Sequence, residues 1–341
     1  MGLEQMIELL FFTILMALVF DFINGFHDSA NAISTVVATK VLTPMQAVSM
    51  AAVGNLIGPL FFTTAIAATI GKGIIDTKTI QSLLPKDTFV LMILAAIVGA
   101  IVWDIITWFF GIPVSSSHAL IGGLIGAAIA AVGTSILLSD GIGKVLLFIV
   151  VSPIIGFFAA FILALLVMRA FNKSAPAKVN YWFKKLQLFS AFFYSVTHGT
   201  NDAQKTMGII TILLVSGGFL TEFNVPLWVI LACHISISLG TWLGGWRIVK
   251  TMAHKITQLR PYQGFCAETA GGVVLVQTAA FGIPVSTTHA IAGSIMGAGS
   301  TRNPKSVRWG LSRNIILAWF ITIPFSAIVA AGSFMILNHF L

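Results

Sequence analysis

The chain has 341 residues, of which 57% are hydrophobic and 9% charged, and its formal net charge is +8. A soluble domain contains about 25% charged residues, so this chain is predicted to be an all-helical, polytopic integral membrane protein. Its basic residues lie in short loops between apolar stretches and form no single basic face, which argues against nucleic-acid binding.

Eight apolar stretches follow one another along the chain, and four of them contain a polar interruption. The first stretch lacks a basic leader and a cleavage site, which predicts a retained span rather than a signal peptide. Cys233 and Cys266 stand alone within apolar sequence and are predicted to be packing residues. The uninterrupted stretches are 44–70, 143–168, 227–246 and 313–337, and the interrupted ones are 5–40, 89–133, 187–217 and 264–299.

A ten-residue sequence occurs twice in the chain. Residues 110–119 read FGIPVSSSHA and residues 281–290 read FGIPVSTTHA, with eight identities. Buried hydroxyl groups are costly in hydrocarbon, so two copies of such a sequence indicate one site built from both. We expect two re-entrant helical hairpins with tips at 113–118 and 284–289.

The distribution of charge predicts the topology. If each hairpin leaves the membrane on the side it entered, fourteen Lys and Arg residues lie on one side and four on the other. The positive-inside rule then places the fourteen in the cytoplasm and both termini outside. Each half has three crossings, an odd number, which predicts two inverted-topology repeats: residues 1–168, a cytoplasmic linker at 169–186, and residues 187–341. A hairpin arm at 89–111 is also long enough to span the bilayer.

The first and fifth stretches carry related polar motifs at 24–32 and 198–208. Aligning Gly25 with Gly199 places Asp28 opposite Asp202. Glycine with Asn and Asp in an apolar helix predicts local unwinding, and therefore a broken helix in each repeat. Carboxylate, amide and carbonyl oxygens suit Na⁺, although these Asp residues could instead cap half-helices.

The hairpin tips have the composition of an anion site. After Pro113 and Pro284 a new helix can begin, with hydroxyl residues at its N-cap and first turn. Free N–H groups, hydroxyls and the positive end of the helix dipole bind phosphate or sulfate, whereas the alternative is an ordinary capped helix. The predicted anion ligands are Ser115, Ser116, Ser117, Ser286, Thr287 and Thr288.

The two motifs and the two tips resemble the inorganic phosphate transporter (PiT) family, and the sequence GTNDAQKTMGII at 199–210 resembles its prokaryotic branch. The resemblance covers essentially the whole chain and implies phosphate uptake driven by a cation gradient. The first motif departs from the family pattern at Phe26 and His27, which leaves its share of ion binding open. The resemblance implies that Asp28, Asn31, Asn201 and Asp202 are signature residues and that the two tips face phosphate. The predicted phosphate site also includes Thr200, Asn201 and Gln204, and the predicted Na⁺ ligands are Asp28, Asn31, Asp202, Asn24 and Glu268.

Other polar residues allow two interpretations each. Lys205 could form a structural ion pair with Asp202 or add positive charge near the anion. His118 and His289 could hydrogen-bond within the hairpins or shuttle protons. Glu268 could be a cation ligand or part of a structural pair.

The sequence therefore predicts a secondary transporter of the cell membrane that imports inorganic phosphate with Na⁺ as coupling ion, without other cofactors. An H⁺-coupled phosphate or metal-phosphate carrier and a sulfate carrier remain alternatives, and an anion channel is the rival from another class. Enzymatic activity is not expected, because Ser and His at each tip are adjacent on one helix start and have no orienting acid. The expected partners are phosphate, Na⁺ and lipid; a homodimer is left open.

Overall fold

The computed structural model of the chain describes residues 2–60 and 64–340. Within these residues the protein is helical and forms no strand, as the composition predicted. The helices of the first half are α1 (Leu3–Ala38), α2 (Pro44–Ile57), α3 (Ala65–Gly73), α4 (Thr77–Leu83), α5 (Lys86–Phe110), α6 (Ser116–Val132) and α7 (Ser139–Ala170). Those of the second half are α8 (Pro176–Ser216), α9 (Leu227–Leu243), α10 (Trp246–Lys250), α11 (Pro261–Ala280), α12 (Thr287–Ser300) and α13 (Trp309–Phe340).

Among the described residues, four helices are each long and apolar enough to cross a membrane by themselves: α1, α5, α7 and α13. Their outer surfaces carry large exposed apolar side chains, such as Phe158 on α7 and Ile328 on α13. Such a surface suits lipid, since hydrocarbon imposes no penalty on exposed aliphatic groups. The predicted polytopic membrane protein is confirmed.

The predicted unwinding of the two polar motifs is wrong. Both α1 and α8 run through their motifs as continuous helices. The motif glycines serve close packing instead: a Cβ on Gly25 would lie 2.1 Å from the carbonyl oxygen of Ile237 in α9, and one on Gly199 would lie 2.5 Å from Cα of Asn55 in α2. Glycine is needed there because any side chain would push the crossing helices apart.

Two pairs of strongly inclined helices occur, and each pair directly follows the motif helix of its half, α1 or α8. A short 3-10 helix, Gly58–Leu60, extends α2, and this segment 44–60 is inclined at 84° to α3. In the second half, α9 is inclined at 59° to the segment 246–255. In each half, the pair of inclined helices follows the motif helix, and the motif helix itself is continuous. The predicted linker at 169–186 is also largely helical, because α7 ends at Ala170 and α8 begins at Pro176.

Both predicted helical hairpins are present. The first consists of α5 and α6 and the second of α11 and α12, and each has a glycine in the left-handed region near its turn, Gly111 at φ 65° and Gly282 at φ 63°. A residue with a side chain is strained at such a φ, which explains glycine at both turns. The re-entrant path of each hairpin and the inverted orientation of the two repeats stay predictions.

The two halves interlock around their duplicated elements. The last helix of each half packs on the hairpin of the other: α13 lies against α5 and α6, and α7 lies against α11 and α12. The motif helices follow the same exchange, because α1 packs on α9 while α8 packs on α2. This arrangement brings both hairpin tips and both motifs to the centre of the protein.

Candidate functional site

The two hairpin tips touch each other at the centre of the molecule. The hydroxyl of Thr288 donates to the carbonyl oxygen of Val114 at 3.0 Å. The imidazole rings of His118 and His289 lie 4.9 Å apart, centroid to centroid, and His289 stacks on Trp319 of α13 at 3.9 Å. The starts of α6 and α12 therefore face one shared region. The rings of His118 and His289 therefore pack against each other between the two hairpins.

Each tip forms the N-terminal cap that its sequence predicted. The Oγ of Ser115 accepts the backbone N–H of His118 at 3.3 Å, and the Oγ of Ser286 accepts that of His289 at 3.2 Å. These caps satisfy the third N–H group of each helix, whereas the first two have no partner within the helix. Because the two tips are in contact, the free N–H groups and the positive dipole ends of both helices lie close to one another.

Two carboxylates and one hydroxyl meet on the motif side of the tips. The Oγ1 of Thr287 lies 3.4 Å from Oδ2 of Asp28 and 3.0 Å from Oδ2 of Asp202. A hydroxyl has one proton, so Thr287 can donate to one of these two carboxylates at a time. Asn31 completes the group by donating its Nδ2 to Thr288 at 2.9 Å. A cation beside Thr287 would satisfy both oxygens at once.

The hydrogen bonds of His198 determine which of its ring nitrogens faces Asp202. The Nδ2 of Asn55 donates to the hydroxyl of Thr241 at 2.8 Å, and Thr241 donates to the carbonyl of Gly25 at 3.1 Å. This chain of bonds directs Oδ1 of Asn55 toward Nδ1 of His198, 3.2 Å away, so Nδ1 has the proton. The other ring nitrogen of His198, Nε2, lies 3.1 Å from Oδ2 of Asp202. This ring nitrogen is therefore placed to bind a cation together with that carboxylate oxygen.

Asp28, His198 and Asp202 each offer one ligand atom, and these atoms all lie within 4.8 Å of one another. Two carboxylates, a hydroxyl and an imidazole form a compact set of ligands for a small cation. His27 borders it, with Nδ1 at 2.8 Å from Oδ1 of Asp28. The site is closed to solvent in this conformation, since Asp28 is 2% exposed and Asp202 is fully buried.

Lys205 lies between the carboxylate of Asp202 and the first hairpin tip. Its Nζ donates to Oδ1 of Asp202 and to Oγ of Ser117. The structure therefore shows both contacts that the sequence left as alternatives: an ion pair, and a positive charge at a hairpin tip.

Some predicted ligands are not brought to the tips. The hydroxyl of Thr200 donates to its own helix at Val196, and Gln204 caps α3 by accepting the N–H of Ile66 at 2.9 Å. Asn201 donates to the carbonyls of Thr197 and Leu275, but its Oδ1 has no partner in the part of the chain that is described.

The last two predicted ligands differ in their surroundings. Asn24, one turn before Asp28, is buried, and neither polar atom of its side chain has a hydrogen-bond partner among the described residues. Glu268 lies in a separate group, where its carboxylate accepts bonds from Thr35 at 2.5 Å, from Gln187 at 3.1 Å and from Ser190.

Sequence reasoning did not place His198 or Tyr194 in the site. The hydroxyl of Tyr194 donates to the backbone carbonyl of Thr287 at 3.1 Å and so fixes the second tip against α8. A signal for His198 was available, because the alignment of Gly25 with Gly199 pairs it with Asn24, a predicted ligand. Tyr194 lies outside the motif and had no such signal.

Comparison with known proteins gives consistent results. The sequence profile described as "Phosphate transporter family" matches residues 24–178 and 169–330, one segment in each half of the chain. The sequence is 52% identical to a probable low-affinity inorganic phosphate transporter of Rhizobium meliloti, over 93% of both chains. It is 46% identical to the protein of the same description in Bacillus subtilis, over 97% of this chain and 98% of that one.

A solved structure has the same fold. The chain superposes on a structure titled "The sodium-dependent phosphate transporter" with a TM-score of 0.86, at 22% sequence identity, over 98% of this chain and all of that one. At this identity the likeness establishes the fold alone. It agrees with the helical membrane architecture that composition predicted.

Proposed function

The chain belongs to the phosphate transporter family, and on that premise we propose that it is a symporter that imports inorganic phosphate together with Na⁺. It is a transport protein of the membrane and not an enzyme. The observation that carries the proposal is the position of Thr287. This residue begins α12 at the second tip, and its hydroxyl lies within hydrogen-bond distance of both Asp28 and Asp202.

Phosphate is assigned to the region between the two helix starts. Four N–H groups, two from each of α6 and α12, have no partner within their helices and can donate to phosphate oxygens. The Oγ of Ser116 is buried at the first tip, where it adds a hydroxyl group to the free N–H groups. Phosphate has several acceptor oxygens and fits such converging donors.

Na⁺ is assigned to the carboxylate group of Asp28 and Asp202 with His198 and Thr287. An anion at the tips and two buried carboxylates repel one another strongly in a medium of low dielectric constant. A cation between them converts this repulsion into attraction, so neither ligand binds well alone. Moving an anion into a negative interior costs about 2.3 kcal/mol per charge and 100 mV, which accompanying cations offset.

The name of the structural neighbour supports Na⁺, whereas the names of the bacterial relatives mention no coupling ion. An H⁺-coupled carrier is the main alternative, since the names of the bacterial relatives leave the coupling ion open. Positive charge in the loops supports an orientation with the segment between α7 and α8 in the cytoplasm and both termini outside.

Uptake of labelled phosphate into proteoliposomes tests the proposal. An inward Na⁺ gradient at constant pH should drive accumulation above equilibrium, and sulfate should not compete. Accumulation driven by an imposed pH gradient in the absence of Na⁺ would establish proton coupling instead. Flux that never exceeds the electrochemical equilibrium of phosphate would identify a channel.

A further inference from the structure

Lys205 and Asn31 occupy equivalent positions in the two repeats but differ in charge. Each lies six residues after its motif glycine, Gly199 or Gly25. Their contacts are equivalent too. Asn31 donates its Nδ2 to Thr288 at 2.9 Å, and Lys205 donates its Nζ to Ser117, the residue that matches Thr288 in the duplicated hairpin sequence.

The negative charges of Asp28 and Asp202 are therefore compensated by different groups. The carboxylate of Asp202 has the ammonium of Lys205 as an internal counter-charge. The carboxylate of Asp28 faces hydroxyls and the imidazole of His27, and the equivalent residue Asn31 contributes a neutral amide.

Burial makes this difference important. Lys205 is 1% exposed, and a buried ammonium is tolerated at membrane depth where a carboxylate pairs with it. Its Nζ contacts one carboxylate oxygen of Asp202 and one tip hydroxyl, which are the ligand types that a bound Na⁺ takes. The side chain thus supplies a positive charge where a symmetric site would bind a second cation.

We propose that the Lys205 ammonium is a tethered replacement for one coupling cation, so that this chain moves one fewer cation per phosphate than a site with Asn at both positions. The proposal rests on the proposed cation-coupled symport. The remaining exchangeable cation binds next to Asp28, between it and Asp202. Lys205 stays with the protein through the transport cycle and therefore contributes no charge to net movement.

The test counts charges per phosphate in proteoliposomes containing the full chain. The membrane potential that stops net phosphate flux at known cation and phosphate gradients gives this number, whether the cation is Na⁺ or H⁺. The Lys205→Asn variant, which copies the first repeat, should carry one more positive charge per phosphate than the wild type. Its uptake should also depend more steeply on cation concentration. Lys205→Arg keeps the charge and should retain the wild-type ratio.

An unchanged ratio in Lys205→Asn overturns the proposal. If that variant does not fold, Lys205→Gln is examined at high Na⁺ concentration. Failure of both neutral variants to fold there also overturns the proposal, because a free cation then does not substitute for the ammonium. If wild-type uptake is independent of Na⁺ but is driven by a proton gradient, only the assignment of Na⁺ is refuted. The proposal for Lys205 is still tested, because the charge moved per phosphate is compared between the variant and the wild type.

Discussion

The hydroxyl of Thr288 in the second hairpin tip donates to the carbonyl oxygen of Val114 in the first, at 3.0 Å. This bond joins residues 174 positions apart in sequence, at the point where the starts of α6 and α12 meet. Because the same hydroxyl also accepts a bond from Asn31, it connects both tips to a motif helix. A ligand that enters between the tips must therefore also displace groups of the motif helix, which gives a structural basis for the proposed coupling of phosphate to a cation.

The first prediction concerns orientation. Lys78 and Lys178 are both exposed, and the distribution of charge places them on opposite sides of the membrane. Single cysteines at these positions, in a chain whose Cys233 and Cys266 are replaced, should react with an impermeant thiol reagent from opposite sides. Reaction of both cysteines from the same side would refute the predicted topology.

The second prediction concerns Asp28. Asp28→Asn removes a charged ligand of the proposed Na⁺ site, and a charge-assisted contact contributes about 1.5–3 kcal/mol. The Na⁺ concentration for half-maximal uptake should therefore rise about tenfold or more. Asp140→Asn, in the exposed first turn of α7, is the matched control and should leave the Na⁺ dependence unchanged. Equal Na⁺ dependence in Asp28→Asn and the wild type would show that Asp28 is structural.

The third prediction concerns the ion pair of Asp202 with Lys205. Asp202→Asn leaves a buried ammonium without its carboxylate, and breaking such a pair costs about 3–5 kcal/mol. The single variant should unfold at a clearly lower temperature in detergent than the wild type. The double variant Asp202→Asn with Lys205→Asn removes both charges and should recover much of the loss. If the double variant is no more stable than Asp202→Asn, the ion pair does not explain the effect.

The fourth prediction concerns the glycines at the helix crossings. Gly25→Ala and Gly199→Ala place a Cβ against the backbone of α9 and of α2, so each should destabilise the protein by about 1–3 kcal/mol. In Gly332→Ala of α13 the new Cβ meets no atom within 4 Å, and the change should stabilise the helix by up to about 1 kcal/mol. Thermal unfolding of the three variants decides this. Equal effects at the three positions would contradict the packing role.

The sequence predicted what depends on local chemistry. The spans follow from hydropathy, and the caps at Ser115 and Ser286 follow from a Pro and hydroxyl residues at the start of a helix. The unwinding expected at Gly25 was wrong. Glycine is required there because the backbone of Ile237, a residue 212 positions away in another helix, leaves no room for a Cβ atom. The hydrogen bonds around Glu268 come from α1 and α8, so no local pattern could have revealed them.

The central claim is that both hairpin tips form one phosphate site and that phosphate binds there together with the cation. Calorimetric titration of the purified protein with phosphate in saturating Na⁺ measures this directly. We expect one phosphate per chain. Ser116→Ala and Thr287→Ala should each weaken phosphate binding about tenfold to a hundredfold, which corresponds to a lost contact of about 1.5–3 kcal/mol. Ser116→Ala removes a hydroxyl at the first tip, and Thr287→Ala removes a proposed hydroxyl ligand of the cation that binds together with phosphate.

The double variant should still show a single class of site with weaker affinity. Ser294→Ala, which removes a buried hydroxyl bonded within α12, should bind phosphate as the wild type does. One phosphate per chain, lost progressively as either tip is changed, is the result that a shared site predicts. Two phosphates per chain in the wild type, with each tip variant eliminating one of them, would contradict the account.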